Sequence, residues 1–189
     1  MLRHLPNLVT ILRMLLVVPL CWLIDKGQYE GALVIAAVAG FSDAVDGFLA
    51  KHYGWQTWVG GILDPIADKL LLMAAFLWLA FAGDVPEWLA ALVIGRDLVI
   101  VGGAIAYYGL IGRFDAAPTM LSKLTTVVQI VFVLGELLRL SHWIEMPQGV
   151  RNAAIVVTAA LTVASGVHYV LVWSARAWRT RSVAGRRQP

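Results

Sequence analysis

Six apolar stretches, each about long enough to cross a bilayer, leave this sequence few ways to fold. Inside a hydrocarbon layer of ~30 Å every backbone N–H and C=O must be satisfied by the chain itself, and a helix does this locally. The stretches fall at 8–24, 32–50, 58–82, 87–110, 119–140 and 152–173. Gly27, Gly54, Gly83, Pro86, Gly112 and Pro147 punctuate the joins. The chain is 60% hydrophobic and 14% charged, whereas a soluble domain carries about 25% charged residues. The predicted architecture is therefore all-α: one polytopic membrane domain of about six transmembrane helices over 1–175, followed by a basic tail over 176–189. Cys21 is the single cysteine, which excludes an intrachain disulfide and a cysteine-based zinc site. The apolar run 14–24 lacks a small-residue cleavage site and reads as a helix rather than a signal peptide.

Charge in the joins predicts orientation. Arg3 precedes the first helix, Lys51 and His52 follow the second, and Arg113 and Lys123 flank the fourth join. The tail adds Arg176, Arg179, Arg181, Arg186 and Arg187. Acidic residues dominate the alternate joins: Asp25 and Glu30 beside Lys26, then Asp84 and Glu87. The positive-inside rule then places both termini in the cytoplasm, in a bacterial inner membrane. Arg139 and Arg151 near the fifth join are the exception to this pattern. The tail reads as a topology signal and an attraction for anionic lipid headgroups, not as a nucleic-acid surface.

The informative residues are charges inside the apolar stretches, where each costs a few kcal/mol on insertion scales. Asp43 and Asp46 are three apart and share a helix face; Asp64 and Asp68 are four apart and do the same. A short join links their helices, so the expectation is two antiparallel neighbours carrying all four carboxylates at one depth near the cytoplasmic side. Four such groups repel unless protonated or neutralised by cations. Oxygen-only ligands suit Mg²⁺ or Mn²⁺ rather than zinc, and two divalent ions would balance the charge, as in the two-metal clamp for displacement at phosphorus. Gly47 and Gly60 sit one helical turn from these carboxylates and give a ligand room near the backbone.

Together these residues resemble the CDP-alcohol phosphatidyltransferase family, whose signature is D-x2-D-G-x2-A-R followed by G-x3-D-x3-D. Here Asp43, Asp46, Gly47, Ala50, Gly60, Asp64 and Asp68 match at the expected spacing, and Lys51 replaces the usual arginine. That exchange keeps the charge and loses the bidentate geometry. The stretch Pro6, Asn7, Thr10 and Arg13 looks like the family's first helix, with polar residues recurring every three positions. The resemblance implies a cytoplasm-facing active site and homodimerisation. It implies Asp43, Asp46, Asp64 and Asp68 as ligands of two divalent cations, and Asp68 as general base on the acceptor hydroxyl. Asn7, Thr10, Gly47, Ala50, Lys51 and Gly60 would surround the nucleotide of CDP-diacylglycerol. A phosphatidyl group would pass to an alcohol, and CMP would leave.

The acceptor is read from the second half of the chain. Arg96-Asp97 and the run Pro118, Thr119, Ser122, Lys123, Thr125, Thr126 and Gln129 look like the branch that uses phosphatidylglycerol; the branch that uses glycerol 3-phosphate is the alternative. Both acceptors carry a phosphate, for which Arg13, Arg96 and Lys123 are the candidate ligands. The structural alternatives are a pair between Arg96 and Asp97, disfavoured because adjacent helix residues do not face each other, and a pair between Lys123 and Glu136. Asp97, Glu136 and Lys69 carry no assigned role. A divalent-cation transporter is the reading from a different class, but it would spread its carboxylates through the membrane depth.

Overall fold

The computed structural model describes the backbone at 5–53, 58–111 and 119–184, and side chains at 10–42, 67–103 and 119–172. Its described residues form six helices and no strands. These are α1 (Leu5–Asp25), α2 (Tyr29–Tyr53), α3 (Trp58–Phe81), α4 (Glu87–Ile111), α5 (Met120–Leu140) and α6 (Gln148–Ala184). Five of the six lie within three residues of their expected bounds at either end. The sixth runs on from the expected end at 173 to Ala184. Neither proline nor glycine interrupts 173–184, and arginine and alanine favour helix. At 37 residues and 1.5 Å per residue, α6 is about 55 Å long and exceeds a ~30 Å hydrocarbon layer.

Two stretches of described residues, Met120–Leu140 and Gln148–Val172, are long and apolar enough to cross a membrane. The outer surface supports the same environment: Leu15, Val18, Phe41, Phe81 and Val156 are exposed, while Thr10, Arg13, Arg96, Asp97, Thr125, Gln129 and Glu136 are buried. Apolar side chains outside and polar ones inside is the arrangement lipid selects.

Helix α1 packs against both α2 and α3; α4 packs against α3 and α6; α5 packs against α2, α3 and α6. Among the described residues α2 and α3 do not touch each other, and α1 bridges them. The expected direct α2–α3 contact concerns their joined ends, 43–66, whose side chains lie outside the described residues.

The apolar core fills one half of the bundle. Leu20 and Ile24 of α1 meet Leu33 of α2, Phe76 and Leu79 of α3, Leu89 and Val93 of α4, and Leu137 of α5. Phe76 and Phe132 stack with ring centroids 5.7 Å apart. This half lies beside three turns that polar contacts draw together. The Tyr29 hydroxyl donates to Asp84 Oδ2 at 2.7 Å, Arg151 Nη2 donates to the Asp84 carbonyl at 2.5 Å, and Trp143 Nε1 donates to Glu30 at 3.2 Å.

Glu136 anchors this end. Its carboxylate is 1% exposed and accepts from Arg139 Nε and Nη2 at 2.9 and 2.8 Å and from Arg151 Nε at 3.2 Å. The alternative pairing of Glu136 with Lys123 is thereby excluded. Thirteen residues of helix separate those two, about 20 Å along α5, and Lys123 is exposed. The same contacts explain why Arg139 and Arg151 depart from the charge pattern of the joins. Both arginines are committed to a buried carboxylate instead of serving as an orientation signal.

Two outcomes follow for stability. Glu136→Ala strands two guanidinium groups and is expected to cost about 3 kcal/mol, read as a lowered unfolding midpoint in detergent; an unchanged midpoint would refute the anchor. Burial, then the hydrogen bond and charge of Asp84, push the Tyr29 phenol up to about 12. A raised folded value means the contribution is complete below the unfolded value of about 10 and disappears as pH rises through the folded one. The stability gap between the wild type and Tyr29→Phe should therefore be open at pH 9 and close between about pH 10 and 12. A gap independent of pH would exclude this linkage.

Candidate active site

Toward the other end of the bundle the apolar core gives way to a layer of charged and hydroxyl side chains. Helix α1 carries Thr10 and Arg13 one turn apart, and both are buried. Arg13 Nη1 donates to Asp68 Oδ1 on α3 in a tight ion pair. The Arg13 side chain is 3% exposed, while that of Asp68 is 42% exposed. Asp68 is thus a part-exposed carboxylate engaged by a buried cation.

The next residue on α3 continues the layer. Lys69 Nζ lies 3.4 Å from Asp97 Oδ1 on α4. The same Asp97 oxygen accepts from Arg96 Nη1 at 2.5 Å. Adjacent residues do pair here, against the expectation from helix geometry. The arginine side chain is long enough to fold over its neighbour, and a buried guanidinium has few other anions within reach. Arg96 Nη2 then donates to Ser122 Oγ on α5 at 2.6 Å and Ser165 Oγ on α6 at 2.7 Å. Next along the α5–α6 seam, Gln129 Nε2 donates to Thr162 Oγ1 at 3.0 Å, and Thr125 Oγ1 donates to the Leu161 carbonyl at 3.2 Å.

Ion pairs at this depth are retained because each partner alone would be costlier still. Among the described residues the layer holds the cations Arg13, Lys69 and Arg96 and the anions Asp68 and Asp97. A part-exposed carboxylate beside fixed cations is an arrangement that can take up a proton near a phosphate-bearing ligand.

Sequence reasoning singled out Arg13, Asp68, Arg96 and Lys123. The structure joins Arg13 to Asp68, puts Arg96 at the meeting of α4, α5 and α6, and leaves Lys123 exposed. Asn7 on α1, Asp43, Asp46, Gly47, Ala50 and Lys51 on α2, and Gly60 and Asp64 on α3 have side chains outside the described residues. Among the described residues no group of three or more His, Cys, Asp or Glu could hold a metal ion. Sequence reasoning gave Asp97 and Lys69 no role and passed over Ser165. For Ser165 the signal was polar spacing of three and four in an apolar helix, Thr158, Thr162 and Ser165 on α6, matched by Ser122, Thr125 and Gln129 on α5.

A family model described as CDP-alcohol phosphatidyltransferase matches residues 3–164. The chain belongs to the CDP-alcohol phosphatidyltransferase family. It is an enzyme of that family, a transferase of phospholipid biosynthesis. A probable phosphatidylglycerophosphate synthase of Mycobacterium tuberculosis is 36% identical over 194 aligned positions, covering 98% of this chain and 86% of that protein. The CDP-diacylglycerol–glycerol-3-phosphate 3-phosphatidyltransferase of Bacillus subtilis is 30% identical over 182, covering 88% and 93%. A probable CMP-forming cardiolipin synthase of Drosophila melanogaster is 31% identical over 182, covering 88% of this chain but 56% of that protein. Arg13→Gln keeps a donor but removes the charge beside Asp68, and transferase activity is expected to fall on the order of 100-fold, as when a group next to the chemistry is misplaced; a fall of less than twofold would show that the pair does not serve the reaction.

Proposed function

We propose that this enzyme transfers a phosphatidyl group from CDP-diacylglycerol to a glycerol hydroxyl on a phosphate-bearing acceptor, with release of CMP. The observation that carries the reading is Asp68: it belongs to the family's signature, it is half-exposed, and a buried guanidinium holds it. Asp68 takes the proton from the acceptor hydroxyl. The freed oxygen attacks the phosphorus that bears the diacylglycerol, the bond to the CMP phosphate oxygen breaks, and CMP departs.

Asp43, Asp46 and Asp64 together with Asp68 are the proposed ligands of two divalent cations, Mg²⁺ or Mn²⁺. The donor set fits, because carboxylate oxygens prefer hard ions, and Asp68 presents an accessible carboxylate. Bound there, the ions would offset the negative charge of the pyrophosphate. Asn7, Thr10, Gly47, Ala50, Lys51 and Gly60 are proposed to surround the nucleotide, and Arg13, Arg96 and Lys123 to receive the acceptor phosphate. We place six spans in a bacterial inner membrane, the active site and both termini facing the cytoplasm, over a membrane domain of 1–175 and a basic tail of 176–189. A homodimer is the proposed assembly.

Phosphatidylglycerol is the preferred acceptor, because Arg96-Asp97 and the run from Pro118 to Gln129 follow that branch. Glycerol 3-phosphate is the second reading. The M. tuberculosis and B. subtilis proteins span this chain nearly end to end, and the name of the latter specifies that acceptor.

The test is CMP release by protein purified in detergent, given CDP-diacylglycerol and either acceptor, with and without divalent cation. Metal-dependent release with phosphatidylglycerol, lost in Asp68→Asn, is the expected outcome. Release with glycerol 3-phosphate alone would keep the mechanism and exchange the acceptor. Undiminished release by Asp68→Asn would remove the proposed base.

A further inference from the structure

Arg96 offers five N–H donors in one rigid plane. Three of the protein's own acceptors engage it, one from each of three helices: Asp97 Oδ1 on Nη1, and Ser122 Oγ and Ser165 Oγ on Nη2. A planar group held at both terminal nitrogens from different directions cannot rotate about its stem. The remaining nitrogen, Nε, is buried and has no hydrogen-bond acceptor among the described residues. Native interiors rarely leave a charged donor unsatisfied, and where they do, an absent ligand is one explanation.

We propose that Ser165, with Ser122 and Asp97, is a positioning residue that fixes the Arg96 guanidinium plane for the acceptor's phosphate. This deepens the reading of Arg96 given above and rests on it. It makes α6 a working part of the acceptor site through Ser165, which falls just beyond the family match at 3–164. Asp97 adds a link to the donor side, because the oxygen that holds Arg96 also faces Lys69, the neighbour of Asp68.

Steady-state kinetics of the purified full chain separates the possibilities. Ser165→Ala should raise KM for the acceptor on the order of tenfold, the loss of one hydrogen bond to a charged group. KM for CDP-diacylglycerol and kcat should move by less than about twofold if the chemical step is untouched. Ser165→Thr, which keeps the hydroxyl, should recover the acceptor KM, and Ser122→Ala should repeat the split. The unfolding midpoint, measured on each variant, should follow neither change. If Ser165→Ala lowers kcat, both affinities and the midpoint together, the hydroxyl is merely structural and the proposal is overturned. Arg96→Lys tests the underlying reading by itself. An unchanged acceptor KM there would remove Arg96 from the acceptor site and the proposal with it. A raised KM in Arg96→Lys beside an unchanged one in Ser165→Ala would overturn the positioning role alone.

Discussion

A charge withdrawn from water into an apolar bundle must find an opposite charge or a set of hydrogen-bond partners, and the helix arrangement follows from where those partners stand. Glu136 collects two arginines from α5 and α6 at one end. Arg13 and Asp68 join α1 to α3, Lys69 and Asp97 join α3 to α4, and Arg96 joins α4 to α5 and α6. In lipid, apolar contact between helices gives little net drive, because acyl chains offer the same contacts. Pairing of buried charge is directional and ties particular helices together at particular heights.

The two halves of the bundle divide the work. The half beside the turns is a dry core closed by Phe76, Leu79, Leu89 and Leu137, with Glu136 and the Tyr29–Asp84 contact at its edge. It gives the layer above a rigid base. That layer carries the paired cations Arg13, Lys69 and Arg96 and the part-exposed carboxylate of Asp68, the kinds of group that can stabilise charge developing on a phosphate. Rigidity in one half lets the other hold charged groups in place without a tightly packed apolar interior.

The positions of the helices were legible because lipid imposes a length and a polarity that the chain cannot evade. The family was legible because aspartates spaced by three and four, with glycines one turn away, are too costly in a membrane to be incidental. The pairings were harder to read. Arg96 and Asp97 are neighbours in sequence, and periodicity argues against their contact; the flexible stem of arginine decides otherwise. Arg139 and Arg151 read as orientation signals of the wrong sign until Glu136 accounts for both.

Sequence alone determined six helices and their approximate places, the signature aspartates and the family, since each depends on local composition or on spacing along one helix. Only tertiary structure decided that Arg13 belongs to Asp68, that Lys69 and Arg96 share Asp97, and that Ser165 on the last helix completes the setting of Arg96. Apart from that between Arg96 and Asp97, these contacts join residues on different helices, up to 69 positions apart. A side chain's partner in such a bundle is set by which helices pack together and at what height, and no spacing along a single helix encodes that.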